Sequence, residues 1–275
     1  MRPSAAQLKA YLNTAAKAAL DAGRIVMRRA GRLHEIKTRD KGRNDPVSNV
    51  DLECEREIVG QLRRAFPDHA ILSEESADGD GGADDGAGNK AGGGEWQWVI
   101  DPLDGTINFI HGFPHCAVSI ALLHHGAPVV GAIFDPFKNE LFLACQGEGA
   151  TLNQRKIRAS ERKHLDDALI GTGFPYRDDQ NLDAYLRTFR QIAGETAGIR
   201  RAGAAALDLA YVACARLDGF WEFGLRPWDI AAGIVIVREA GGLVGEPDGG
   251  EDCLKSGNVL AAGTALFKTM AERLR

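Results

Sequence analysis

The spacing of hydrophobic residues in the first hundred positions predicts two helices and two strands. Apolar residues recur every three to four positions over residues 5–30, which indicates an amphipathic helix. A second helix is predicted from about Asp51 to residue 65, because Pro67 follows it and proline does not continue a helix. The apolar runs at 70–72 and 96–100 are typical of short buried strands.

The rest of the chain continues the alternation. Strands are predicted at 116–123, 129–134 and 140–145, where His-Gly and Asp-Pro pairs mark the turns between them. After a polar stretch, a strand at 168–174 opens a region with helices at 182–193, 205–216 and 230–240. We therefore expect an α/β fold of one compact unit, with an N-terminal lobe at 1–150 and a C-terminal lobe at 151–275.

Residues 77–94 interrupt the first lobe with a run of glycines and aspartates. The run holds no residue that anchors a core, so we predict a flexible insertion. Its aspartates alternate with glycines somewhat as in calcium loops, but the glutamate that an EF-hand needs at its twelfth position is missing. We interpret the insertion as a solvated loop near a site entrance, and a role as a lid stays open.

Composition narrows the class of protein. With 275 residues, of which 44% are hydrophobic and 26% charged, the chain is long enough to bury a sizeable core. The formal net charge is -5 and the basic residues are dispersed, which argues against sequence-independent binding of nucleic acid. No apolar run approaches the ~20 residues of a membrane span, and no signal-peptide core is visible, so we expect a cytoplasmic protein.

Cysteine and histidine spacing offers no metal cluster. The five cysteines lack CxxC spacing, which argues against both a zinc cluster and a disulfide framework. The seven histidines show no ligand spacing either. His124 and His125 are adjacent, and side chains at adjacent positions of a strand point to opposite faces.

The strongest chemical signal is the hexapeptide DPLDGT, which begins at Asp101 directly after the predicted strand at 96–100. Its two carboxylates are hard oxygen ligands, and the proline between them restricts the backbone so that the Leu103 carbonyl can point the same way. The amides of Gly105 and Thr106 then begin a turn where a phosphate can bind. Asp-Pro and Asp-Gly are also ordinary turn formers, so the hexapeptide alone leaves a solvated turn open.

Three further segments place a carboxylate at the end of a strand or helix. Glu74 follows the strand at 70–72, Asp51 enters the second helix, and Asp229 opens the last helix. Together with the hexapeptide, these segments favour a shared site for a divalent cation over four unrelated turns.

The four segments, in this order, resemble the inositol monophosphatase family of magnesium-dependent phosphatases. DPLDGT is similar to the family's DP(I/L)DGT box, and PWDIAAG at 227–233 is similar to its WDxAAG signature. SEES at 73–76 resembles the GEES element with Ser73 in place of glycine, and 44–51 resembles NDxVTxxD with Ser48 in place of threonine. The stretch 200–242 resembles the bacterial SuhB-type branch, and the resemblance covers nearly the whole chain.

The resemblance implies a layered αβαβα sandwich, a homodimer, inhibition by lithium, and two to three Mg²⁺ ions. The first ion would be held by Glu74, Asp101 and the carbonyl of Leu103. Asp101 would bridge to a second ion, which Asp104 and Asp229 complete. Glu74 would reach a third, weaker ion through water.

The resemblance also assigns catalytic and substrate-binding residues. Thr106 would orient the attacking water or accept its proton, with Asp51 behind it as the base partner and Glu74 near the same water. Glu222 resembles the acid that binds substrate hydroxyls, and Ala204 stands where the family often has threonine. The substrate contacts implied are Lys41, Gly105, Thr106, Gly203, Ala204, Ala205 and Glu222.

The expected activity is magnesium-dependent hydrolysis of a phosphate monoester, with inositol 1-phosphate as first choice because an acid at Glu222 suits vicinal hydroxyls. Related branches that hydrolyse fructose 1,6-bisphosphate, 3'(2'),5'-bisphosphate nucleotides or histidinol phosphate stay open, since the metal motifs do not separate them. A non-catalytic partner of the transcription machinery is a further alternative. Its surface would use basic residues at 187, 190, 200 and 201.

Overall fold

The computed structural model describes residues 3–42, 45–77, 94–175 and 181–275, without the side chains at 40–42 and 45. The predicted insertion at 77–94 lies almost wholly outside the described residues. The helices in that description are α1 Ala5–Ala30, α2 Asn49–Ala65, α3 Glu74–Ala77, α4 Thr106–Ile110, α5 Leu182–Ala193, α6 Ala205–Ala213, α7 Pro227–Glu239, α8 Cys253–Ser256 and α9 Thr264–Leu274.

The strands of the described residues form three sheets. They are β1 Thr38–Gly42, β2 Asp45–Ser48, β3 Ala70–Ser73, β4 Trp96–Asp104, β5 Ala117–His124, β6 Ala127–Asp135, β7 Glu140–Cys145, β8 Ala150–Leu152, β9 Arg155–Lys156, β10 Leu169–Thr172, β11 Gly198–Arg200, β12 Gly219–Glu222, β13 Leu243–Gly245 and β14 Val259–Ala262.

The two large sheets and three helix pairs stack in layers. A seven-stranded sheet has the order β3-β4-β5-β6-β7-β8-β9, and a five-stranded sheet has the order β11-β10-β12-β14-β13. Helices α1 and α2 cover the outer face of the larger sheet, α6 and α7 lie between the sheets, and α5 and α9 cover the smaller sheet. The expected αβαβα sandwich is therefore confirmed. The larger sheet continues to Lys156, past the predicted lobe boundary at residue 150.

Periodic sequence and local capping explain the helix limits. Helices α1 and α5 match the predicted ranges 5–30 and 182–193. Helix α2 begins at Asn49, slightly earlier than predicted, because Ser48 caps it. The Ser48 hydroxyl accepts hydrogen bonds from the amides of Val50 and Asp51, and the Asp51 carboxylate accepts one from the Ser48 amide.

Close packing of small residues holds α7 between the sheets. A Cβ on Gly131 of β6 would lie 2.5 Å from the carbonyl oxygen of Ala232 in α7. Against the neighbouring helix, a Cβ on Gly233 would lie 2.4 Å from Leu209 Cδ1 of α6. The small residues of the segment at 227–233 thus allow α7 to approach both neighbours, and this approach sets the position of Asp229 at its start.

Replacing Gly131 with alanine is expected to destabilise the protein by about 1–3 kcal/mol, because the new methyl group meets backbone that cannot move without shifting α7. The free energy of unfolding from urea titration measures the effect. Gly31→Ala is the matched control, since nothing lies within 4 Å of a Cβ at that position. Equal stability of the two variants would show that α7 does not depend on this contact.

The hairpin between β5 and β6 corrects the expectation for two histidines. Strand β5 ends at His124, and His125 has a φ of 50°, so the chain has already left the strand at His125. The two rings converge, with centroids 4.3 Å apart. The expectation that they point apart is wrong because it assumes that both residues belong to one extended strand.

Among the described residues, the structure shows neither a disulfide bond nor a helix suited to crossing a membrane. All five cysteines lie there as free thiols, which agrees with the expected lack of a disulfide framework. Within the same residues, no helix combines the length and apolar character that crossing a membrane requires.

Candidate metal centre

Strand β4 carries the first two acids into the site. The strand was expected to end at residue 100, but it continues to Asp104 because its pairing with β5 continues. Asp101 pairs with Ser119 and Asp104 with Ala117, so an irregularity in register falls between the two acids. Such a bulge changes the direction of side chains along a strand. The Asp101 carboxylate is buried and accepts a hydrogen bond from the Leu103 amide at 3.0 Å.

Parallel pairing brings Glu74 to the same edge of the sheet. Strand β3 runs parallel to β4, and Ser73 pairs with Ile100. Glu74 follows Ser73 directly and opens α3, just as Asp101 follows Ile100. Since the carboxyl ends of parallel strands meet at one edge, the two acids are neighbours.

Helix α7 delivers Asp229 from a distant part of the chain. The hydroxyl of Ser119 in β5 donates to the carbonyl of Trp228 at 3.3 Å. Because Ser119 pairs with Asp101, this contact holds the start of α7 against the metal motif. The Asp229 carboxylate accepts a hydrogen bond from the Arg226 amide at 2.7 Å, which orients it in the first turn of the helix.

Asp104 is held by the beginning of α6. Its carboxylate accepts a hydrogen bond from the Ala206 amide at 2.8 Å. The amides at a helix N-terminus lack partners within the helix and favour a negative charge. Ala204 and Ala205, expected to contact substrate, are buried at this same N-terminus.

Burial and the charges of neighbouring acids disfavour ionisation of Asp101 and Asp104. Burial raises the pKa of Asp101 well above its usual range, and the charges of Glu74, Asp104 and Asp229 raise it further. Burial and the charge of Asp229 raise the pKa of Asp104 to about 8. Hydrogen bonds from the Ala205 and Ala206 amides oppose this rise. A divalent cation relieves such repulsion and prefers oxygen ligands, so this donor set fits Mg²⁺.

A second group of hydrogen bonds surrounds Thr106. Its hydroxyl lies 2.7 Å from a carboxylate oxygen of Asp51 and 2.9 Å from the Leu103 carbonyl oxygen. A hydroxyl has one proton, so it donates to one of these acceptors at a time. Asp51 is fully buried, and burial raises its pKa while hydrogen bonds from Ser48 and Thr106 oppose the rise.

The turn after the acids requires glycine. Gly105 has a φ of 90°, and a Cβ there would lie 3.0 Å from the His115 carbonyl oxygen and 3.2 Å from that of Gly203. Asn108 fixes the same turn, since its side-chain amide donates to the carbonyl of Ala202 at 2.9 Å and to that of His115 at 2.8 Å. The Gly203 segment is thereby tied against Gly105.

These residues line one cleft of about 260 Å³. The cleft brings together the predicted metal ligands with Gly105, Thr106 and Gly203, whereas Ala204, Ala205 and Glu222 do not line it. The side chain of Lys41 lies outside the described residues. The lining residues are Pro46, Glu74, Asp101, Leu103, Asp104, Gly105, Thr106, Ile107, Asn108, Phe174, Arg201, Gly203 and Asp229.

The sequence patterns missed two charged residues, Arg201 in the wall of the cleft and Asp208 outside its lining. The Arg201 guanidinium lies 4.2 Å from the centre of the Phe174 ring, and both line the cleft, whereas Arg201 was considered for a partner surface. Asp208 is buried in α6, where burial and the charge of Glu222 raise its pKa. Asp208 is the one charged residue in the apolar sequence of α6, and that isolated acid is the signal that would have found it.

Known proteins are similar to this chain over nearly its whole length. The model of the inositol monophosphatase family matches residues 7–275. The chain is 50% identical to the Nus factor SuhB of Pseudomonas aeruginosa over 96% of this chain and 95% of that one. Among solved structures, the extragenic suppressor protein SuhB of Bartonella henselae matches with a TM-score of 0.89 at 41% identity, over 97% and 98% of the two chains. The inositol monophosphatase of Anabaena matches with a TM-score of 0.82 at 37% identity, over 97% and 95%.

Proposed function

The chain belongs to the inositol monophosphatase family, and from that premise we propose that it is a magnesium-dependent phosphate monoester hydrolase. The observation that carries the proposal is one cleft that contains four carboxylates beside a hydroxyl–carboxylate pair. The carboxylates are those of Glu74, Asp101, Asp104 and Asp229. They would hold two to three Mg²⁺ ions together with the Leu103 carbonyl.

Bound Mg²⁺ supplies positive charge that neutralises a phosphate dianion and makes the attacking water more acidic. The Thr106 hydroxyl accepts a hydrogen bond from that water while its own proton points towards Asp51. The buried Asp51 carboxylate has a raised pKa, which suits a general base. Glu74 faces the same cleft and assists at the same water, while the amides of Gly105 and Thr106 bind phosphate oxygens.

The proposed substrate is a small phosphorylated polyol, with inositol 1-phosphate first. The similarity to the Anabaena inositol monophosphatase supports this choice. Glu222 ends β12 and is buried. Its carboxylate would pair with vicinal hydroxyls of the substrate, and Gly203 and Lys41 would complete the proposed contacts. Fructose 1,6-bisphosphate, 3'(2'),5'-bisphosphate nucleotides and histidinol phosphate are the alternative substrates.

Metal dependence tests the proposal. Phosphate release from inositol 1-phosphate is expected to require Mg²⁺ and to stop in excess chelator. Lithium is expected to inhibit by replacing an ion at the Asp101, Asp104 and Asp229 position. Calcium is expected to inhibit because its larger, looser coordination positions water less strictly. A colorimetric phosphate assay over the four substrate classes measures all three effects, and full turnover in chelator would contradict the mechanism.

The name of the Pseudomonas relative favours a second function, association with the transcription machinery. Such a partner, and the homodimer that the family resemblance implies, would use surface outside the cleft. A pull-down from cell extract with wild type and Asp104→Asn is expected to retain transcription proteins with both. If both variants retain transcription proteins and wild type hydrolyses no phosphate ester, the result would favour the partner function over the hydrolase function.

A further inference from the structure

A cluster of three potential ligands lies at the opposite end of β4 from the catalytic carboxylates. Glu95 directly precedes β4. His124 is the last residue of β5, which pairs with β4, and His125 follows it in the turn. From Glu95 to Asp101 the extended chain covers roughly 20 Å, so this cluster is separate from the cleft. It is the set of His, Cys, Asp and Glu within the described ranges whose ligand atoms all lie within 4.8 Å of one another.

The distances within this cluster approach those of a metal site. The Nε2 atom of His124 lies 3.3 Å from Glu95 Oε1, and the Nε2 atom of His125 lies 4.0 Å from the same oxygen. Ligands of a tetrahedral Zn²⁺ ion are about 3.3–3.5 Å apart, because each bond is about 2.0–2.1 Å long. His125 would therefore have to approach Glu95 slightly on binding an ion, and its side chain is exposed.

Strand pairing, a ring contact and a backbone hydrogen bond position the three residues that carry the ligands. Trp96 pairs with His124 across the two strands, and its ring lies 4.3 Å from the His124 ring. The His124 side chain is 11% exposed, whereas those of Glu95 and His125 are 56% and 63% exposed. The His125 amide donates to the Glu95 carbonyl at 2.9 Å, so the hairpin is already fixed beside Glu95. The His124 side chain is thus held by its neighbours, while the side chains of Glu95 and His125 are open to solvent.

We infer that Glu95, His124 and His125 form an accessory site for a borderline divalent cation such as Zn²⁺, Ni²⁺ or Cu²⁺. Two imidazoles and one carboxylate suit these ions, whereas Mg²⁺ prefers oxygen ligands. Three protein ligands leave a further position for water. The ion joins the residue that precedes β4 to the β5–β6 hairpin, and because the unfolded chain lacks this arrangement, binding stabilises the fold.

The turn itself supplies a variant that removes a ligand without harming the fold. His125 and Gly126 form the two-residue connection between β5 and β6, and both have positive φ. Asn-Gly is the preferred pair in such hairpins. His125→Asn therefore suits the backbone at least as well as histidine does, while Glu95→Gln removes a charge and preserves shape.

Calorimetric titration with Zn²⁺ of the full chain, in excess Mg²⁺, tests the inference. Wild type is expected to bind one Zn²⁺ equivalent that His125→Asn and Glu95→Gln lose or bind at least about tenfold more weakly. Zn²⁺ is also expected to raise the melting temperature of wild type more than that of either variant. His34→Asn is the matched control, because His34 is an exposed histidine 3.7 Å from a glutamate, Glu35, and it should bind as wild type does.

Two results would overturn the inference. One is identical Zn²⁺ binding by wild type, His125→Asn and Glu95→Gln. The other is an equal loss of binding in His34→Asn, which would indicate non-specific surface histidines. Magnesium-dependent phosphate release by the His125→Asn and Glu95→Gln variants is expected to equal that of wild type, so this site and the proposed hydrolase function are tested separately.

Discussion

Asp104→Asn is expected to reduce phosphate release by at least about 100-fold while the protein remains folded. The substitution removes a ligand charge, yet the asparagine oxygen still accepts the hydrogen bond that the Ala206 amide gives to Asp104. The assay is phosphate release at saturating Mg²⁺, with circular dichroism to verify the fold. Turnover within about tenfold of wild type would exclude Asp104 as an essential metal ligand.

The same variant is expected to change how stability depends on pH in chelator. The pKa of Asp104 is raised to about 8 in the folded protein from 3.8. Between these values the unfolded chain loses the proton and the folded protein keeps it, so rising pH destabilises wild type through this window. Asp104→Asn lacks that contribution, and its melting temperature should fall less between pH 4 and pH 8. If the melting temperatures of wild type and Asp104→Asn changed equally with pH, the raised pKa of Asp104 would not be the cause of the pH dependence.

Thr106→Val is expected to lower turnover by about 10²–10⁴-fold, the usual contribution of a positioned proton-transfer group. Valine has nearly the same shape as threonine but removes the hydroxyl that joins Asp51 to the Leu103 carbonyl. The buried Asp51 loses one donor, which is expected to cost about 1–3 kcal/mol of stability. Steady-state kinetics at saturating Mg²⁺ and urea titration measure the two effects.

Thr106→Ser is the matched control for this position, because it keeps the hydroxyl and removes only a methyl group. It is expected to retain turnover within about tenfold of wild type. The Mg²⁺ concentration for half-maximal activity should change little in both variants, since the carboxylates of the cleft are unaltered. If valine and serine give equal rates, the hydroxyl does not take part in the reaction.

Local sequence patterns were sufficient for much of the fold. The helices at 5–30 and 182–193 are predicted to the residue by apolar periodicity, because burying one face of a helix requires that spacing. Strand β4 is recognisable from the mostly apolar residues 96–100, because both faces of the sheet are covered there. Trp98 packs under α1 and α2, and Val99 packs under α7. The layered arrangement came from the family resemblance and not from periodicity.

The sequence by itself also determined the four acidic segments and, through their resemblance, the family. Only the tertiary structure decided which distant groups meet. Asp229 lies beside Asp101 because Ser119 joins the start of α7 to β5. Asp208 approaches Glu222 because α6 lies beside β12. The extension of β4 to Asp104 likewise depends on its pairing with β5. A residue's own neighbours in sequence determine its helix or strand preference, whereas contacts between distant segments depend on sheet order and on how closely α7 packs.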